Sequence, residues 1–216
     1  MLLQVAIDSP EHLGVLPVVA DLVHIVEVGT PVLKRFGLSA ISTVRELAPN
    51  IPVMGDTKTV DGGRFEAEMV FGAGASMMTV LSTASGATHD AVDAVAQRFG
   101  AHVVVDTIVA AELPSEPGLY PPRFTYLALH APTDARAAGE RQTQHIAAVE
   151  HMHALGYRVS LAGGIGPQNL AAAVAAQPDI LVVGSAITGA ANPREVVEWM
   201  ISQLVDPGRG WPSESR

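Results

Sequence analysis

Short, nearly unbroken apolar runs recur along this chain, and behind almost every one the apolar positions change from continuous to helical spacing. Leu2 to Ile7 is the first run. Ser9 and Pro10 then offer a capping residue and a first-turn proline for a helix to about Asp21. Val23 to Val28 reads as a second strand, interrupted near its end by Glu27, with Gly29-Thr30-Pro31 opening helical spacing to about Ala48. Further strands are expected at Ile51 to Met54, Ser76 to Leu81, His102 to Ile108, Phe124 to Leu129, Arg158 to Ala162 and Ile180 to Val183. Helices are expected from about Gly63 to Phe71, Thr88 to Phe99, Pro167 to Ala176 and Pro193 to Leu204, with another ending near Leu155-Gly156.

One interval breaks the rhythm. Pro114, Pro117, Gly118, Pro121 and Pro122 crowd residues 109–123, where a fifth helix belongs, and a proline inside a helix costs about 3 kcal/mol. That interval reads as an irregular loop. Eight strands alternating with some seven helices predict an α/β chain folded as a (β/α)8 TIM barrel over residues 1–205, with an open doubly wound sheet as the alternative. Residues 206–216, rich in Pro, Gly and Ser, read as a frayed, disordered tail.

Composition agrees with that class. Of 216 residues 48% are apolar and only 5% aromatic, with abundant Ala, Val and Gly, which suits strands covered on both faces. A net charge of −9 argues against nucleic acid or an anionic membrane as partner, since both call for a basic footprint. With no cysteine, thiolate chemistry and disulfides are excluded, and any metal must take oxygen or imidazole ligands; Mg²⁺ is the natural candidate. The first apolar run ends in Asp8 without a basic flank, and no uninterrupted apolar stretch approaches the ~18 residues of a membrane span, so a cytoplasmic protein is expected.

The densest chemistry lies after the third run, where Asp56-Thr57-Lys58-Thr59-Val60-Asp61 packs two carboxylates and an ammonium together. On a strand Asp56 and Lys58 share one face. A structural ion pair, and Asp61 as a helix cap, are the alternatives. In a barrel of this kind the active site forms at the C-terminal ends of the strands. Those ends carry Asp8, Glu27, Asp56 with Lys58, Asp106, His130, Gly163-Gly164 and Gly184-Ser185, whereas strand starts are poorer in such groups. Each has a structural alternative: Asp8 as a cap, Glu27 as a buried partner of Lys58, Asp106 on loop amides, the glycines in tight turns. Of the eight histidines, His24 and His102 sit at strand starts and read as structural, while His12, His89, His145, His151 and His153 read as solvated. The glycines after strands seven and eight stand where barrels bind phosphate.

These residues resemble the orotidine-5′-monophosphate decarboxylase superfamily, in the branch of 3-hexulose-6-phosphate synthase and 3-keto-L-gulonate-6-phosphate decarboxylase. The carriers are Val-Ala-Ile-Asp ending at Asp8, Ile-Val-Glu-Val-Gly-Thr-Pro from Ile25, the Asp56-to-Asp61 motif with its Gly-Gly, Met78-Thr-Val-Leu, Val-Val-Asp106, His130 with Asp134, Ala-Gly163-Gly164-Ile and Val-Gly184-Ser-Ala-Ile. The resemblance implies Glu27 and Asp56 as Mg²⁺ ligands, Asp8 and Lys58 against the reacting carbons, and His130 as proton carrier. Gly163, Gly164, Gly184 and Ser185 would bind phosphate, and Asp106 the substrate. It also implies a homodimer with Asp61 shared across the interface.

Two enzymatic readings follow, joined by an enediolate. A lyase of the aldolase type would condense ribulose 5-phosphate with formaldehyde. A carboxy-lyase would make the enediolate by releasing CO₂. The decarboxylases resemble one another in an Arg shortly after the site histidine and another after the last glycine; here Ala131-Pro132-Thr133 and Ser185 stand instead, and Leu161-Ala162-Gly163-Gly164 and Asp106 also resemble the synthases, so the synthase is the favoured reading, although Asp134-Ala-Arg-Ala-Ala-Gly139 resembles the decarboxylases. A non-catalytic sugar-phosphate binding protein is the third reading.

Overall fold

The apolar runs become parallel strands because each is covered twice, by helices outside and by side chains filling the barrel within. In the computed structural model, which describes residues 1–121, 123–134 and 143–205, they are β1 (Leu2–Ile7), β2 (Ile25–Val28), β3 (Val53–Thr59), β4 (Met77–Leu81), β5 (His102–Asp106), β6 (Phe124–His130), β7 (Arg158–Ala162) and β8 (Ile180–Val183). Each pairs with the next, and β8 closes on β1 with Leu2 opposite Ile180, giving the closed barrel expected rather than an open sheet. Ile25, Met54, Met77, Val104, Tyr126 and Ile180 fill the interior. A larger apolar layer, with Leu3, Ile41, Met78, Leu129 and Leu161 fully buried, packs the strands against the helices.

The helices follow the sequence pattern where nothing interrupts it. They are α1 (Leu16–Val19), α2 (Thr30–Phe36), α3 (Ser39–Leu47), α4 (Gly63–Gly72), α5 (Gly86–Phe99), α6 (Thr143–Ala154), α7 (Leu170–Ala175), α8 (Ser185–Thr188) and α9 (Pro193–Val205). The first expected helix is instead a 3₁₀ segment, Pro10–Val15, leading into the single turn of α1. The long helix expected after β2 is two, because Gly37 ends α2 with φ of 64°. Among the described residues no helix is long and apolar enough to cross a membrane. The expected tail at 206–216 lies outside the described residues.

Between β5 and β6 no helix forms among the described residues, as the prolines dictate. The loop is pinned from behind: the Tyr157 hydroxyl donates to the Glu116 carbonyl at 2.8 Å and accepts from the Leu119 amide at 3.3 Å. Tyr120 stacks on Phe124, and His89 packs edge-on against both rings. His89 is therefore buried, not solvated as its helical position suggested; its Nε2 meets the Leu81 carbonyl at 3.1 Å.

Candidate active site

The first four residues of the charged motif do not follow β3; they are part of it. The strand runs on to Thr59, and its register with β4 slips between Gly55 and Thr59. A bulge of this kind re-aims side chains. Lys58 sits there at φ of 49°, and its Nζ turns back onto the Asp56 carboxylate at 2.6 and 2.8 Å. The same ammonium lies 3.3 Å from Asp106, whose carboxylate also lies 3.3 Å from His130 Nδ1. Asp106 is 1% exposed and thus bridges the lysine and the histidine from beneath. Burial opposes its charge, but the His130 hydrogen bond and the His130 and Lys58 charges hold the carboxyl below its ordinary range. Its other oxygen accepts the Ile108 amide at 2.9 Å, so Asp106 also performs the structural task foreseen for it. For Lys58, burial works against the ammonium, yet Asp56 and Asp106 outweigh it and raise its pKa. The lysine stays charged.

Asp8, Glu27 and Asp56 converge from β1, β2 and β3. Burial, then Asp56 and Asp8, push Glu27 well above the ordinary glutamate range, and its carboxylate accepts Gln4 Nε2 at 2.6 Å. Asp8 is raised by crowding from surrounding atoms, then by Asp56, although it remains open to solvent. Such mutually repelling carboxylates fit a divalent cation, and Mg²⁺ is held by one or two carboxylates with its remaining positions on water or substrate. Among the described residues no group of three or more His, Asp or Glu side chains forms a complete cage, so Glu27 and Asp56 would share the ion with water or substrate.

These groups open into a cavity of about 510 Å³ at the strands' C-terminal ends, lined by Asp8, Glu27, Thr30, Asp56, Lys58, His130, Thr133 and Asp134, and on its far side by Gly163, Gly164, Gly184 and Ser185. Glycine is needed at one of its walls and again behind Asp8. Gly163 has φ of 93°, and a Cβ there would lie 2.3 Å from the Ala131 carbonyl; at Gly29 a Cβ would lie 2.2 Å from Asp8 Oδ1. Of the expected site residues, the cavity lining takes in all but two. Asp106 lies below it, and Asp61 is exposed at the entrance to α4. Residues 135–139 of the decarboxylase-like stretch lie outside the described residues.

A protein-family model described as the orotidine 5′-phosphate decarboxylase / HUMPS family matches residues 1–200. The chain belongs to this family. A 3-hexulose-6-phosphate synthase of Methylomonas aminofaciens is 34% identical over 89% of this chain and 93% of its own length. The crystal structure of 3-hexulose-6-phosphate synthase from Salmonella typhimurium superposes with a TM-score of 0.84 at 33% identity, covering 96% of this chain and all of that one. A 3-keto-L-gulonate-6-phosphate decarboxylase of Vibrio cholerae superposes at 0.74 with 25% identity, over 96% and 99% of the two chains.

Three residues that hold the carboxylates of this cavity are not among those the sequence singled out. Thr30 donates to Asp56 Oδ2 at 2.8 Å, Thr79 to Asp56 Oδ1 at 2.9 Å, and Gln4 holds Glu27. Gln4 carries the one available signal, a polar residue inside an apolar strand run. The threonines carry none, being ordinary in a strand or a first helical turn.

Proposed function

We propose that this chain is a lyase of the aldolase type, a 3-hexulose-6-phosphate synthase that joins ribulose 5-phosphate to formaldehyde through an enediolate. The observation that carries the reading is the Asp106 bridge. A deprotonated Asp106 accepts Nδ1–H of His130, which leaves Nε2 as the acceptor facing the cavity. In this reading His130 takes a proton from C1 while the electron pair moves to form C1=C2, and negative charge gathers on the C2 oxygen. The Lys58 ammonium stabilises that charge. C1 then attacks the formaldehyde carbon, and the proton on His130 passes to the new alkoxide. Asp8, across from Lys58, orients the sugar hydroxyls. The glycine walls admit the phosphate close to backbone N–H groups.

Glu27 and Asp56 would hold Mg²⁺, which when bound offsets the carboxylate cluster and stabilises negative charge on substrate oxygens. Decarboxylation of 3-keto-L-gulonate 6-phosphate is the weaker reading for an electrostatic reason. Among the described lining residues Lys58 is the only Lys or Arg, and it is already engaged by two aspartates, so a second substrate anion would find little compensation. The working unit in our reading is a homodimer with Asp61 lent to the partner's cavity; the exposed Val60, Phe65 and Met69 around it support this.

Deuterium exchange at C1 of ribulose 5-phosphate in D₂O, followed by NMR, tests the reading. Exchange that needs Mg²⁺ and stops with chelator is expected, with a new carbon–carbon bond when formaldehyde is added. No exchange, with CO₂ released from the keto-gulonate phosphate, would overturn it.

A further inference from the structure

The bulge in β3 sets three residues, Asp56, Thr57 and Lys58, against one residue of β4, because Gly55 faces Met78 and Thr59 faces Val80. That one residue is Thr79. It is 2% exposed, and its hydroxyl both accepts and donates. Oγ1 accepts the Lys58 amide at 2.8 Å, where the slipped ladder offers a side chain in place of a carbonyl, and donates its own proton to Asp56 Oδ1 at 2.9 Å. Its carbonyl accepts the Thr57 hydroxyl at 2.8 Å. Receiving an N–H, the hydroxyl can direct its proton only at an acceptor, and a carboxylate is acceptor-only. The β-branched side chain is stiff at χ1 and cannot swing away.

We propose that Thr79 is a positioning residue for the reaction: its hydroxyl holds Lys58 in its left-handed backbone conformation and fixes the plane of the Asp56 carboxylate, so that ammonium and carboxylate are presented together. Thr79 itself does not line the cavity. Lys58 is an L-residue in a conformation that sterics disfavour, and such a conformation persists only where surrounding contacts impose it. Thr79→Val keeps the shape and removes the hydroxyl, leaving the amide and the carboxylate oxygen without this partner. Thr79→Ser keeps the hydroxyl.

The inference rests on the aldolase reading, and its test separates the two. Thr79→Val is expected to slow C1 exchange about 10- to 100-fold at saturating ribulose 5-phosphate, as outer partners of a site commonly do, with KM changed less than about threefold. Mg²⁺ affinity, measured by calorimetry without substrate, should fall alongside it, and Thr79→Ser should restore both. A Thr79→Val protein that keeps wild-type exchange and Mg²⁺ affinity overturns the inference. Should that variant fail to fold, amide hydrogen exchange on the wild-type protein decides: the Lys58 N–H must be protected like a core-strand amide, and loop-like exchange overturns the inference. Absent C1 exchange in the wild-type protein would count against the aldolase reading alone, leaving Mg²⁺ affinity and amide protection to judge Thr79.

Discussion

A buried carboxyl whose pKa is raised by its surroundings costs the folded chain stability wherever it ionises, and Glu27 shows it best. Burial first, then Asp56 and Asp8, raise its pKa in the folded state. Between the ordinary glutamate range and that raised value the native chain holds more protons than the unfolded one, so stability falls as pH rises through the window. Above it the cost is complete. Without divalent cation, Glu27→Gln should therefore melt at least ~2 °C above wild type near pH 8 and lose that advantage in acid. Saturating Mg²⁺ should raise the wild-type Tm near pH 8 and leave the variant's unchanged. Scanning calorimetry across pH, with and without Mg²⁺, checks this; coincident wild-type and variant curves would refute it. That Asp8, Glu27, Asp56, Lys58 and His130 share one cavity was legible because strand ends in a barrel share one mouth, which the order of the sequence already specifies. Thr30, Thr79 and Gln4 were not, since each acts through a carboxylate that a different segment of the chain brings to it. His89 misled for a similar reason: its aromatic partners are Tyr120, in a loop whose packing the sequence leaves unspecified, and Phe124, at the start of β6.

Strand and helix identity was readable from apolar spacing, but the bulge was not. The apolar run ends at Met54, and only pairing with β4 carries β3 on to Thr59. Turns written in glycine were easier to read, and they support a contrast between elements. Gly163, between β7 and the cavity, combines φ of 93° with no room for a Cβ beside Ala131, so Gly163→Ala should cost about 1–3 kcal/mol and raise KM for ribulose 5-phosphate. Gly72, the last residue of α4, has nothing within 4 Å of an added Cβ; Gly72→Ala should be neutral or stabilise by up to about 1 kcal/mol with kinetics unchanged. Urea unfolding and initial rates on both variants measure the contrast. Equal effects would mean that the β7 loop is plastic and does not shape the phosphate end.

At the scale of the whole molecule, the barrel closes its core yet leaves one apolar region uncovered beside a site residue. Val60, Phe65 and Met69 are 53%, 71% and 54% exposed on β3's exit and α4, flanking Asp61, which is itself exposed and is not among the residues lining its own cavity. A monomer gains nothing from such exposure, whereas a symmetric pair buries it twice. If the dimer proposed above forms through this surface, Phe65→Asp should shift sedimentation from dimer to monomer and abolish turnover together, because each cavity would then lose its partner's Asp61. Complementation separates that cause from misfolding. Asp61→Ala and His130→Ala are each expected to be inactive. Mixed one to one and allowed to exchange, half the dimers become mixed, each with one intact site, and about a quarter of wild-type activity should return. If the mixture stays inactive while mass spectrometry shows mixed dimers, Asp61 does not act across the interface, and the exposed surface serves assembly without completing the site.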